Sequence, residues 1–273
     1  MRSLACIVPF LLLAGACGQG VDHPKAAPGC DPTSMKCVYM SPPASSGTGT
    51  GTGNQAGASS SGEELTSLTG QVVVLGDDAF SQGTLLSSTA LVTAIGEGGA
   101  RVMGNYDGMS FKLEGVLKDE ANWFLVTPEA KSGMVPTITP VDTSTATGVS
   151  VGVANALVLD SIFLNLNTER SLDRAQVVLR VVDAGGKSVV GVHATASETP
   201  EVLAYRTAGT WLRDNSGMDL ATDDSGMILF GNLQVGTALA SLLATLSGAA
   251  AARVDLEIVA GATTLVTVVV AAK

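Results

Sequence analysis

At 273 residues, 46% of them hydrophobic, the chain has enough apolar side chains for two ordinary domains and is not disordered as a whole. Aromatics make up only 4%, glycine numbers 32, and Val, Thr, Ala and Ser dominate, a mix that suits pleated, half-buried strands better than large helical cores. A formal charge of −10 with no basic patch to offset it excludes nucleic acid as a partner and repels anionic lipid headgroups.

The chain opens with Arg2 and an apolar run from Leu4 to Ala16, too short for a stable membrane span and the right length for the hydrophobic region of an export signal. The run closes as LLLAGAC. Its small residues Ala14, Gly15 and Ala16 directly before Cys17 resemble a bacterial lipobox, with Ala14 standing where Leu is commonest. That resemblance implies cleavage after residue 16, lipidation of Cys17 and, with neutral Gly18 following, retention at the outer membrane of a Gram-negative envelope. Each buried CH₂ of an acyl chain contributes about 0.8 kcal/mol to such an anchor. Loss of residues 1–16 removes Arg2 and leaves 14 bases against 25 acids.

Cys6 leaves with the signal and Cys17 carries the lipid, so CDPTSMKC leaves Cys30 and Cys37 as a lone pair in an oxidising compartment. A small disulfide loop is the default reading. A metal site is the weaker alternative, because two thiols and His23 fall short of four ligands. Residues 41–62, SPPASSGTGTGTGNQAGASSSG, hold no large apolar side chain and read as a tether. As a coil, residues 17–62 average about 35–40 Å end to end, enough to lift a folded unit off the headgroups.

Ordered sequence begins near Leu65. Strands are predicted at Gly70–Leu75 and Ser88–Ile95, on either side of a turn-rich GDDAFSQGT. Met109, Phe111 and Leu113 alternate with Ser110, Lys112 and Glu114, the pattern of a strand buried on one face. Asn122–Thr127 and Val135–Val141 complete a first module of five to seven strands. Val153, Ala156, Leu157 and Leu164 then recur at helical spacing, which predicts a connector helix over about 154–169.

The clearest stretch follows: AQVVLRVVDAGGKSVVGVHATAS, residues 175–197, reads as two alternating strands joined through Asp183–Lys187, with Gly185 or Gly186 at positive φ. Val190, Val192, Ala194 and Ala196 are expected inward, His193 and Thr195 outward. Further strands are expected at 201–207, 226–230, 253–260 and 263–271. Val235–Ala252 lacks charge over eighteen residues, but its Gly, Ser and Thr dilute it too far for a membrane span.

Two short matches recur in the same order: ALVTA (90–94) with VHATA (192–196), and DGMSFKLEGV (107–116) with SGMILFGNLQV (225–235). A strand, a D-x-G-G-K turn, a V-x-G-V strand and a later G-M-x-(F/L) strand resemble the carboxypeptidase regulatory-like, or transthyretin-like, β-sandwich, akin to Ig-like repeats of bacterial surface proteins. The match is better over 173–273 than over the first module. The resemblance implies folding, spacing and protein contacts, and it carries over no active site.

The residues themselves offer little chemistry. His193 is the single histidine beyond the tether, and no G-x-S-x-G, P-loop, G-x-G-x-x-G after a strand or H-E-x-x-H is present. No cofactor is expected. Asp77 with Asp78, and Asp219 with Asp223 and Asp224, lie in turns; the latter three form the better, though weak, candidate for Ca²⁺, in the absence of any EF-hand pattern. LAYRTAGTWLRDNSG (203–217) concentrates Tyr205, Trp211, Arg206 and Arg213 in an expected loop, and Arg206, Trp211 and Arg213 are the candidate interaction residues; Trp123 is a further exposed-ring candidate.

The expected organisation is all-β: a signal peptide over 1–16, a lipidated flexible linker over 17–62, a first β-sandwich over 63–142, a helical connector over 143–172 and a second β-sandwich over 173–273. The expected role is that of a non-enzymatic cell-envelope lipoprotein, held to the membrane by its N-terminal lipid and meeting an envelope protein; a carbohydrate- or small-ligand-binding module is the alternative. Labelled palmitate fed to expressing cells is expected to mark the chain and to be lost in Cys17→Ala; incorporation that survives the substitution contradicts the anchor.

Overall fold

A computed structural model describes residues 65–96, 101–118, 121–143, 148–215, 220–236 and 239–271. The chain forms seventeen strands and one helix across these residues. In the first half these are β1 (Leu65–Leu75), β2 (Gln82–Leu85), β3 (Ala90–Ile95), β4 (Arg101–Tyr106), β5 (Phe111–Leu117), β6 (Ala121–Pro128), β7 (Met134–Val135), β8 (Thr137–Asp142) and β9 (Gly148–Asn155). Helix α1 (Ala156–Asn165) follows directly. The second half holds β10 (Ala175–Val182), β11 (Val192–Ala196), β12 (Val202–Thr207), β13 (Thr210–Arg213), β14 (Met227–Leu233), β15 (Ala240–Gly248), β16 (Ala252–Ile258) and β17 (Thr263–Val269).

The same pairing pattern occurs twice. In the first half β1 pairs antiparallel with β5 and parallel with β9; in the second, β10 pairs antiparallel with β14 and parallel with β17. Opposite them, β3, β6 and β8 pair antiparallel in that order, as do β11, β15 and β16. The repeated sequence motifs therefore sit on corresponding strands: ALVTA on β3 and VHATA on β11, the G-M-x-(F/L) stretches leading into β5 and β14. Equivalent strands need the same inward residues, which is why traces of the repeat survive in sequence.

The two halves share one sheet. Its nine strands run β13-β12-β14-β10-β17-β8-β6-β3-β4, and the seam is the parallel pairing of β17 with β8, Thr263 against Thr137 and Thr264 against Ile138. The Thr263 amide also donates to the Pro136 carbonyl at 2.8 Å. Beyond Ile138 the pairing stops short of Pro140, a residue with no N–H to offer a ladder. Against one face of the first half of this sheet lies the sheet of β2, β1, β5, β9 and β7, enclosing Leu68, Val72, Val92, Phe124, Val126 and Val151. Against the opposite face of the second half lies β11-β15-β16, enclosing Val177, Leu179, Phe230, Leu242, Val254 and Leu256.

Helix α1 closes a third core on the face of the second half that β11, β15 and β16 leave open. Asn155 caps it, its side-chain oxygen accepting the Leu157 amide at 2.9 Å. The helix is shorter than the predicted 154–169, and its buried face is displaced from the predicted one. Val153 belongs to β9, Leu157 and Leu164 are 73% and 74% exposed, and Leu159, Ile162, Phe163 and Leu166 point inward instead. Both sets obey helical spacing, so periodicity alone does not choose between them. Phe163 packs with Val178, Val202, Leu229 and Leu265, and its ring lies so close to Gly231 that a Cβ there would stand 2.8 Å from it.

This third core explains why β10 is buried on both faces, with only Arg180 exposed. It also breaks the predicted hairpin. The turn forms as expected, with Gly186 at φ +76° and the Asp183 carboxylate accepting the amides of Gly185 (2.9 Å) and Lys187 (3.0 Å). However, β10 and β11 do not pair: a single bridge joins Val182 to Ser188, after which the chain crosses to the opposing sheet, where β11 pairs with β15. Local sequence marks the turn, whereas burial of both faces of β10 requires its neighbours to be β14 and β17. Two smaller differences accompany these: Val190 lies in the crossing and is 53% exposed, and Met109, in the turn before β5 with its amide held by the Asp107 carboxylate, is 74% exposed.

Phe163→Ala is expected to destabilise the fold by about 3–5 kcal/mol in urea unfolding, whereas Leu164→Ala is expected to stay within about 0.5 kcal/mol. Similar losses for the two would contradict the assignment of the helix face.

Candidate functional site

The stretch expected as a loop over 203–217 is largely a β-hairpin. Strands β12 and β13 are joined by Ala208 (φ +49°) and Gly209 (φ +81°), the two left-handed residues of a type I′ turn. Asp223 pins the turn from outside: its carboxylate accepts the Ala208 amide at 2.6 Å and the Ser225 amide at 2.8 Å, and the Ser225 hydroxyl donates to the Arg206 carbonyl at 3.0 Å.

From this hairpin two side chains reach the turn after β1. Arg206 Nη2 contacts Asp78 Oδ1 at 3.1 Å, and the Trp211 indole Nε1–H donates to the Asp78 carbonyl at 3.1 Å. Asp77 holds that turn from within, accepting the Ser81 amide at 2.7 Å and the Ser81 hydroxyl. Residues from both halves of the chain thus meet at one point.

Beside the contact lies a cleft of about 350 Å³, bounded by Gly76–Asp78, by α1 and its cap, and by the hairpin tip. Its polar lining is Asp77, Asp78, Asn155, Ser161, Asn165 and Thr210; its apolar wall is Leu157, Val158, Ile162 and Trp211. No Lys, Arg or His lines it. Burial opposes ionisation of Asp77, yet the Ser81 hydroxyl and amide, the Ala79 amide and the nearby Arg206 outweigh it and hold its carboxyl below the ordinary value. Burial likewise opposes ionisation of Asp223, and the amides of Ser225 and Ala208, with Arg206, depress its pKa in the same way.

The structure brings two of the three candidate interaction residues together. Arg206 and Trp211 converge on Asp78, but Trp211 is only 3% exposed and packs in the third core. Arg213 is directed elsewhere, donating to the Glu201 carbonyl at 2.8 Å. Tyr205 is buried, its hydroxyl accepting the Ala194 amide at 3.0 Å, and half-buried Trp123 packs against the second core. His193 is half-buried, with Nδ1 3.1 Å from the Leu220 carbonyl. Of the calcium candidates, Asp223 is engaged by backbone amides, Asp224 is exposed and Asp219 lies outside the described residues, as do Cys17, Cys30 and Cys37. Among the described residues no three His, Cys, Asp or Glu side chains cluster as metal ligands, and no helix is long and apolar enough to cross a membrane.

The cleft acids Asp77 and Asp78 were legible as turn acids, but nothing in the sequence places them against Arg206, 128 residues away. Asn155 had a local signal, as an Asn opening an apolar helical run.

No family model matches the chain, and no curated protein does. Among solved structures it is similar to the Bacillus anthracis TIE protein (15% identity over 76% of this chain and 34% of that one, TM-score 0.23). It is also similar to a streptococcal ancillary pilin (12% identity, 76% and 69%, TM-score 0.27) and to the pilus backbone of Streptococcus pneumoniae (10% identity, 70% and 57%, TM-score 0.22). At such TM-scores the likeness carries no argument about function.

Because the pKa of Asp223 is depressed in the folded state, its ionisation stabilises the fold at neutral pH, and that contribution is lost as pH falls through the depressed value. Asp223→Ala is expected to cost about 1–2 kcal/mol at pH 7 and to flatten the fall in stability below about pH 4. Chemical unfolding across that range, with equal acid slopes for variant and parent, would contradict it.

Proposed function

We propose that the protein is a non-enzymatic cell-envelope lipoprotein whose folded region presents two Ig-like or transthyretin-like β-sandwich modules, joined by α1, as a structural and protein-contacting unit. The observation that carries this reading is where the chemistry-bearing side chains are committed. His193 faces a backbone carbonyl, Asp77 and Asp223 accept backbone amides, and the buried Tyr106 hydroxyl donates to the Leu86 carbonyl at 2.8 Å. These groups hold the chain to itself, and none pairs a nucleophile with a base in the manner of a hydrolase.

The address rests on sequence: LLLAGAC ending at Cys17, followed by a tether of small polar residues that reaches nearly to β1. A lipid at Cys17 and some 35–40 Å of coil would hold the modules within reach of other envelope components. The glycan-binding alternative has less to rest on, because the Trp211 ring meant to stack against a sugar sits in the core.

Proximity crosslinking of the full-length chain in expressing cells, read by mass spectrometry, is expected to enrich a small set of envelope proteins. Enrichment of cytoplasmic proteins alone, or turnover of ester, peptide or glycoside substrates by the purified chain, would overturn the proposal.

A further inference from the structure

The cleft beside α1 combines three properties that together select a ligand chemistry. Its volume of about 350 Å³ falls within the range of sites that hold a small group or a side chain. Its wall of Leu157, Val158, Ile162 and Trp211 offers contact to an aliphatic stem. Its rim carries Asp77 and Asp78 and no cationic side chain.

The local charge is only partly offset from behind. Arg206 is the cation in contact with this turn, and it serves Asp78 through one carboxylate oxygen, Oδ1, while also lying near Asp77 and Asp223. One guanidinium thus contacts Asp78 and acts electrostatically on Asp77 and Asp223, and Asp77, held below the ordinary carboxylate value, is ionised throughout the neutral range. Phosphates, uronic acids and acidic peptides are repelled from such a rim. Neutral sugars would find hydroxyl and amide partners but no exposed aromatic face to stack on, since Trp211 presents only 3% of its surface. A long side chain with an apolar stem and a cationic head satisfies both parts of the cleft at once.

We infer that this cleft receives a lysine or arginine side chain of a protein partner, the stem lying on Leu157, Val158 and Ile162 and the charge between Asp77 and Asp78. The inference rests on the protein-contacting role proposed above and supplies the chemistry of one contact. The position fits: the turn after β1, the cap of α1 and the β12–β13 tip come from both halves of the chain, so the cleft exists only when the halves are joined. Leu157, part of the cleft wall, is 73% exposed and so open to a partner.

The chain has two tryptophans, Trp123 and Trp211, so full-length protein labelled with ¹⁵N-tryptophan gives two indole signals, one of them from the cleft wall. Hexalysine is expected to shift the Trp211 signal saturably, to leave Trp123 in place, and to lose its effect as salt rises. Maltohexaose and hexaglutamate are expected to move neither. Ser161→Lys puts a cation at the rim from an exposed helix position and is expected to weaken hexalysine by up to about fivefold, the upper worth of an exposed charge contact. Thr195→Lys, which adds the same charge at an exposed position of β11 away from the cleft, should bind as the parent does. A Trp211 signal that ignores hexalysine, one that responds to maltohexaose, or equal binding by parent and Ser161→Lys would overturn the inference. Enrichment of envelope proteins in cells does not depend on this cleft, so the two proposals fail separately.

Discussion

The parallel seam between β8 and β17 is the constraint on which the arrangement rests. Only two residue pairs make it, Thr263 with Thr137 and Thr264 with Ile138, yet it joins strands of both halves into one nine-stranded sheet. Threonines are suited to the position. Thr137 is wholly buried, and its hydroxyl donates to the Val135 carbonyl at 2.7 Å and accepts the Ala154 amide at 2.9 Å, while Thr264 donates to the Glu257 carbonyl at 2.7 Å. β-Branched side chains fit the pleat, and the hydroxyls of Thr137 and Thr264 satisfy backbone groups that a valine would leave unpaired in the interior, whereas the buried Thr263 hydroxyl has no partner among the described residues.

Once the sheet is continuous, its two faces must be covered differently. The first half is covered on one side by the β1–β9 layer and the second half on the other by β11-β15-β16, so the remaining face of β10, β14 and β12 needs a separate lid. Helix α1, entering straight from β9, provides it with Leu159, Ile162, Phe163 and Leu166. The Arg206, Trp211 and Asp78 contact secures the edge of the same lid. A second polar lock lies farther along: buried Asn232, at φ +54°, takes the Ser171 amide on its side-chain oxygen (2.9 Å), gives its own amide to Gln176 Oε1 (2.7 Å) and its Nδ2 to the Glu169 carbonyl (2.9 Å). Buried amides are tolerated here because each has found partners. The cleft is a by-product of this joining, since it opens where the helix cap, the β1 turn and the hairpin tip meet without filling the space between them.

The strands were legible wherever a single face decided the pattern. Phe111 and Leu113 against Lys112 and Glu114, or Val254 and Leu256 against Arg253 and Asp255, alternate because one side meets water and the other a core. Legibility fell where both sides are buried. Residues 175–182 carry apolar side chains on both faces, and an apolar run does not say which strands lie beside it. The helix was placed but turned wrongly for a related reason: Leu157 and Leu164 are as hydrophobic as Leu159 and Phe163, and only the position of Val178, Leu229 and Gly231 chooses the face. Among candidate site residues, Arg206 and Trp211 were singled out as one cluster, but their shared partner, Asp78, lies 128 and 133 residues earlier in the chain, so their roles as clamp and core were hidden.

Sequence by itself determined the β-rich class, the turn chemistry of Asp183–Lys187, the existence of a helix after Val153 and the echo between the two halves. Each depends on neighbours a few residues apart, through alternation, capping and left-handed turn positions. Tertiary structure alone decided that the halves share a sheet, that residues 175–197 part into opposing layers, and that two acidic residues and a helix face enclose a cleft. These depend on which surfaces meet across long separations, and the hydrophobic effect that drives them is non-directional, so the chain encodes that they must be buried without encoding against what.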